Sequence, residues 1–238
     1  MCNCLELKLQ STGTMQSGAL LVANHISWLD IPVLGALGHM TFVSKDDVRH
    51  WPVVGWLAKA SGTLFIKRGA NQARTTIDQI VGRLERGGSI MIFPEGTTSD
   101  GRSMRRFHPR LFAAVQRTGP ALQPVAIRYG SNARPDPVAP FVGNDSLILH
   151  LLRVLRHPGM GVEVAFLAPV NTSARDRRAL ADAARAAIAA RLGLTDVPEL
   201  RSDMPRDTEP RRRAATHRSA GDDETNASSS GVAPSHDR

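Results

Sequence analysis

Cysteine is nearly absent. The 238-residue chain has two, Cys2 and Cys4, and the single residue between them is too short a loop for a relaxed disulfide. With no second pair there is no zinc knuckle either, so free thiols and a reducing compartment are expected. Aromatic residues make up only 5% of the chain, too sparse for a surface on which nucleic-acid bases would stack. No apolar run reaches the roughly 18 residues that cross a bilayer. The first 18 residues are polar and lack the apolar block of a signal peptide. Three catalytic signatures are missing as well: the Gly-x-Ser-x-Gly elbow, the His-Glu-x-x-His zinc helix and the Gly-x4-Gly-Lys-Ser/Thr phosphate loop. The chain therefore offers no nucleophile elbow, no zinc helix and no phosphate loop of those types. Peripheral contact with a membrane stays open.

What is present is positive charge. The net charge is +8 and the pI about 10.6, which points to an anionic partner: nucleic acid, a membrane surface or an acidic substrate. From residue 201 to 238, seven arginines face seven acidic residues among Ser, Pro and Asp. The excess therefore resides in residues 1–200. The division expected is one domain over 1–200 and a disordered polar tail over 201–238.

Hydrophobic patterning within 1–200 alternates short apolar runs with helical periodicity. Runs at 5–9, 20–23, 41–43, 62–66, 89–93, 123–129 and 161–166 read as strands. Several are apolar on both faces, as buried parallel strands are. Helices are expected from near Ser27 through Leu37, over 73–86, 111–117 and 146–155, and over 179–192 with Ser173 as cap and Gly193 as stop. Pro124 places the 123–129 strand at a sheet edge or Pro124 at its start. The fold class is α/β: a single domain with a mostly parallel or mixed central sheet flanked by helices, its site at the C-terminal ends of the strands.

Four of these strands end in chemistry. The run Leu20-Leu21-Val22-Ala23 stops at Asn24-His25, and Asp30 follows with Pro32 just behind. An imidazole accepts a proton near neutral pH, and a carboxylate can fix its tautomer. Residues five apart in a regular helix point about 140° apart, so the pair meets only if His25 sits in a turn and Asp30 in the helix after it. The strand at 62–66 runs into Lys67-Arg68-Gly69, cations at a strand end that suit an anion. The strand at 89–93 runs into Pro94-Glu95-Gly96-Thr97-Thr98-Ser99, where donors and a close-approach glycine converge. Basic residues Arg102, Arg105, Arg106 and Arg110 follow, with Phe107 and His108 among them. Trp51 and Trp56, flanked by Lys45, Arg49 and Lys59, suit a membrane–water interface.

Taken together, Asn24-His25-x4-Asp30, Gly62-Thr63-Leu64-Phe65-Ile66-Lys67-Arg68, Phe93-Pro94-Glu95-Gly96-Thr97-Thr98-Ser99 and Gln123-Pro124-Val125-Ala126-Ile127 resemble the glycerolipid acyltransferases of the 1-acyl-sn-glycerol-3-phosphate acyltransferase type. The resemblance implies acyl transfer from acyl-CoA or acyl-carrier protein, as co-substrate, to the free hydroxyl of lysophosphatidate in phospholipid biosynthesis. It implies His25 as general base and Asp30 as its orienter. Arg68 would bind the acceptor phosphate, and Glu95, Gly96 and Thr97 would bind the acceptor. No metal or prosthetic group is implied, and the expected location is peripheral, on the cytoplasmic face of the inner membrane. The stretches from Ser27 to Pro32 and from Trp51 to Trp56 are also similar to bacterial lyso-ornithine-lipid acyltransferases. There Arg68 would pair with the ornithine carboxylate or with the carrier. The rival from another class is a basic nucleic-acid- or lipid-binding protein without catalysis; no nucleic-acid partner is expected.

Overall fold

The computed structural model describes residues 6–46, 55, 63–66, 70–131, 133–173 and 175–194. Within them lie strands β1 (Leu7–Thr12), β2 (Leu20–Ala23), β3 (Thr41–Lys45), β4 (Leu64–Ile66), β5 (Ile90–Ile92), β6 (Leu122–Tyr129) and β7 (Met160–Phe166). They join in one sheet of order β1-β7-β6-β2-β5-β3-β4. Every neighbouring pair is parallel except β6 with β7. Five adjacent strands, β6, β2, β5, β3 and β4, thus share one direction and present their C-terminal ends along one edge. The helices are α1 (Asp30–Leu37), α2 (Ala70–Glu85), α3 (Ala113–Thr118), α4 (Leu147–Leu155) and α5 (Arg177–Leu192).

Both faces of the sheet are covered, which is why β2 and β5 at its centre are apolar at every position. Side chains alternate across the sheet. Leu20 and Val22 pack with Ile80 and Leu84 of α2 and with Leu180, Ala184 and Ile188 of α5. Leu21 and Ala23 pack on the opposite side with Val33 and Leu34 of α1 and Val154 of α4. All four residues of β2 and all three of β5 are buried.

Four local expectations are corrected. The first helix begins at Asp30, not near Ser27: Ser27 only supplies a carbonyl to the Asp30 N–H at 3.1 Å, closing a turn before the helix starts. The helix expected over 111–117 is present but begins as a 3-10 turn, Pro109–Phe112, and is α-helical only from Ala113 in α3. Helix α5 is capped by Asp176 rather than Ser173. Asp176 immediately precedes the first helical residue, and its Oδ1 accepts the open amides of Arg178 and Ala179 at 2.9 and 2.8 Å. Gly193 ends the helix in a left-handed conformation, as expected.

The fourth correction concerns Pro124. Strand β6 lies between β7 and β2, in the interior of the sheet. Pro124 O accepts the Leu167 N–H at 3.0 Å just past the end of β7, where the paired donor would be the N–H that proline lacks. The Gln123 side chain supplies it instead, its Nε2 donating to Leu167 O at 3.0 Å and to Thr14 O at 2.9 Å. Its Oε1 accepts the Gln16 N–H at 2.8 Å. A proline is tolerated in this interior strand because its neighbour's amide completes the ladder.

Trp51, Trp56, Lys67, Arg68, the cysteines and the tail beyond residue 200 lie outside the described residues. Among the described residues no helix is long and apolar enough to cross a membrane.

Gln123→Ala removes the partners of three backbone groups at once. It should lower stability by about 1–3 kcal/mol, the sum of three partly buried hydrogen bonds, read from urea unfolding. An unchanged midpoint would contradict the assigned role.

Candidate active site

Asn24 ends β2 by replacing backbone pairing with side-chain pairing. Its Nδ2 donates to Ile127 O and its Oδ1 accepts the Ile127 N–H, both at 2.9 Å. This buried bridge pins the strand end to β6 while freeing the chain to turn. His25 follows in that turn, and Asp30 opens α1.

The turn brings the pair together. His25 Nδ1 lies 2.8 Å from Asp30 Oδ2. The same oxygen accepts the backbone N–H groups of Ile26 at 2.8 Å and Ser27 at 3.1 Å. Asp30 Oδ1 accepts the Tyr129 hydroxyl at 2.8 Å. Four donors thus converge on a carboxylate that is fully buried, the set that such a group can accept. Because the carboxylate only accepts, Nδ1 carries the imidazole proton and Nε2, on the far side of the ring, is the acceptor. The His25 side chain is 19% exposed, so that edge can be reached. Its ring stacks on Phe93, centroids 4.1 Å apart and planes 16° apart. Ser27, beside the pair, is buried with its hydroxyl unpartnered and does not cap the helix.

The loop after β5 closes on this turn. Glu95 is buried, and each of its oxygens takes a backbone N–H: Oε1 from His25 and Oε2 from Arg105, both at 2.9 Å. Burial pushes its pKa above the usual 4.5, and the Arg105 and His25 amides pull the other way. Ser99 donates to His25 O from its backbone at 2.8 Å and from its hydroxyl at 3.3 Å. Gly96 has φ +71°, and a Cβ there would come within 3.2 Å of the His108 ring, so glycine answers both conformation and space. Gly96 and Thr97 are exposed.

The structure therefore brings His25, Asp30 and Glu95 into one hydrogen-bonded unit and places Gly96 and Thr97 on its outer side; Arg68 lies outside the described residues. Arg102, Arg105, Arg106 and Arg110 are exposed. Phe107 among them is buried in the core, leaving no aromatic there to interleave with bases. Two contributors were not visible in the sequence. Tyr129, at the C-terminal end of β6, reaches Asp30 across 99 residues of chain. Trp28 donates its Nε1 to His150 Nδ1 at 3.0 Å, while His150 Nε2 bonds Pro140 O at 3.1 Å. Burial lowers the His150 pKa below the usual 6.5, favouring the neutral ring that both bonds require. The one signal for Tyr129 was its position at a strand end, on the same edge as the other three motifs.

A carboxylate-oriented imidazole at the C-terminal edge of a doubly covered α/β sheet can take a proton from a hydroxyl bound beside it. The chain belongs to the acyltransferase family, whose model matches residues 6–128 under the description Acyltransferase. It is 44% identical over 199 residues to a lyso-ornithine lipid O-acyltransferase of Pseudomonas aeruginosa, spanning 83% of this chain and 77% of that protein. It is 31% identical over 168 residues to a 1-acyl-sn-glycerol-3-phosphate acyltransferase of Neisseria gonorrhoeae, spanning 70% and 66%. A crystal structure of the 1-acyl-sn-glycerophosphate acyltransferase PlsC from Thermotoga maritima shares the fold, with a TM-score of 0.57, 22% identity, and coverage of 79% of this chain and 72% of that one.

Tyr129→Phe leaves Asp30 Oδ1 without its donor. Stability should fall by about 1.5–3 kcal/mol, the range for a hydrogen bond to a charged group, and turnover should fall with little change in acceptor KM. Wild-type stability and turnover in the variant would remove Tyr129 from the unit.

Proposed function

We propose that this acyltransferase moves a fatty acyl group from an acyl thioester, acyl-CoA or acyl-carrier protein, to the free hydroxyl of a lyso-ornithine lipid. The observation that carries the chemistry is the 2.8 Å contact between His25 and buried Asp30. His25 Nε2 takes the hydroxyl proton as the oxygen attacks the thioester carbonyl carbon. Asp30 stabilises the imidazolium that forms. The tetrahedral adduct collapses, the C–S bond breaks, and the departing thiolate takes the proton from His25. A thioester is already activated, so the step needs no covalent enzyme intermediate and no resident metal.

The acceptor is argued from relatedness. Lyso-ornithine lipid is the acceptor named for the Pseudomonas relative at 44% identity, against 31% for the Neisseria enzyme named for 1-acyl-sn-glycerol-3-phosphate. This reverses the order of the two acceptors expected from the motifs alone. In this reading Arg68 pairs with the ornithine carboxylate or with the carrier. In the second reading, supported by the same motif blocks and the Neisseria relative, it grips the phosphate of lysophosphatidate. Glu95 serves by holding the 93–99 loop against the His25 turn, its oxygens both taken by backbone amides. Gly96 and Thr97 then meet the acceptor from the exposed side.

The test offers lyso-ornithine lipid and lysophosphatidate side by side with labelled acyl-CoA and acyl-carrier protein, and His25→Ala as the comparison. Product should form on lyso-ornithine lipid, and His25→Ala should lower turnover by roughly 10²–10⁴-fold. Product from lysophosphatidate alone would install the second reading. Equal turnover in the folded variant would end the mechanism.

A further inference from the structure

The large hydrophobic side chains left exposed among the described residues all fall in one stretch: Val142 (40%), Ile148 (60%), Leu149 (59%), Leu152 (39%) and Leu155 (53%). Four of the five belong to α4. At about 100° per residue, Leu155, Ile148, Leu152, Arg156, Leu149 and Arg153 follow one another around a single side of the helix. His150 and Val154, buried at 0% and 1%, face the core from the other side. The outer face is therefore an aliphatic strip with exposed Arg156 set between Leu152 and Leu149, and with exposed Arg153, paired with Asp145, at its margin.

Three observations select its occupant. The strip carries the Arg156 cation among its aliphatics, in a chain of net charge +8, and aliphatics beside arginine suit the acyl and headgroup layers of an anionic bilayer. Two copies meeting face to face would set like charges against one another. They would also bury too little: the patch is on the order of 400 Å², a functional size on a monomer, so two copies would bury about 800 Å² together, whereas a stable dimer buries about 1,200 Å² or more in total. Third, the inner side of α4 is tied to the catalytic turn. His150 accepts from Trp28, which lies between His25 and Asp30, and bonds Pro140 O; Phe141 N–H donates to Ile26 O at 3.0 Å. Thr98 of the Glu95 loop donates its hydroxyl to Phe141 O.

We propose that the outer face of α4, with Val142, docks the protein on an anionic lipid bilayer and so carries the His25 turn to the surface that holds the acceptor. The choice of a bilayer rests on the acceptor being a lipid, as proposed above.

The test uses the full chain and vesicles of phosphatidylcholine with or without phosphatidylglycerol. Wild type should sediment with the anionic vesicles and less with the neutral ones. Ile148→Glu with Leu152→Glu should cut vesicle binding by at least about tenfold, with the mass in solution unchanged. Arg156→Glu should weaken binding to the anionic vesicles only. Transfer to a short-chain, fully dispersed acceptor should be the same in all of them, while transfer to acceptor embedded in vesicles should fall. Should the doubly charged variant melt early, Ile148→Gln with Leu149→Gln carries the same comparison. Wild type left in the supernatant, or equal vesicle binding by the variants, would overturn the proposal. So would a wild-type dimer that the variants split, which would assign the strip to a second copy, or a loss confined to carrier-protein donor on both acceptors, which would assign it to the carrier. Failure of wild type on the dispersed acceptor with vesicle binding intact would instead count against the acyl-transfer reading and leave the docking face standing.

Discussion

The structure depends on how one buried carboxylate is satisfied. Asp30 has no solvent to lean on, and an unpaired charge in that position would cost several kcal/mol. It is held by two backbone amides of its own turn, by the imidazole it orients and by a tyrosine from another strand. The local amides fix the turn, and the tyrosine fixes the turn to the sheet. Whatever moves β6 relative to β2 therefore moves the acid that orients His25. Asn24, clamping the same two strands immediately before the turn, makes that movement harder.

The same economy runs through the edge. Five strands of common direction deliver their ends to one line, and three of those ends are joined through side chains: β2 through His25, β5 through Phe93 and Glu95, β6 through Tyr129. Glu95 is the clearest case of a motif residue whose contacts are internal. Its two oxygens hold two loops, and its burial keeps it from solvent. A carboxylate so placed stiffens the floor beneath the imidazole rather than offering a free charge. The α4 helix extends this logic outward, since its inner side bonds to the turn through Trp28 and its outer side remains apolar.

Much of this was legible locally. Fully apolar runs marked the buried strands, and a strand stopping at Asn24-His25 marked the edge, because both signals depend on a few adjacent residues. The His25–Asp30 contact followed from spacing once a turn was required between them. What was not legible depended on residues far apart in the chain. Pro124 read as an edge residue because the missing N–H was counted and the Gln123 amide that replaces it was not. Ser173 read as a cap because serine is a good one, while Asp176 was nearer the first open amides. Tyr129 looked like one more strand residue, and only the adjacency of β6 and β2 turns it toward Asp30.

The most direct test of the account is the tautomer of His25, read by nitrogen NMR of the labelled imidazole in the wild-type protein and in Asp30→Asn. The account predicts that neutral His25 carries its proton on Nδ1, with Nε2 open to accept, and that this preference weakens when Asp30 can no longer act as a carboxylate. A neutral ring protonated at Nε2 in the wild type would contradict it, because the nitrogen facing the acceptor would then have no room for the hydroxyl proton.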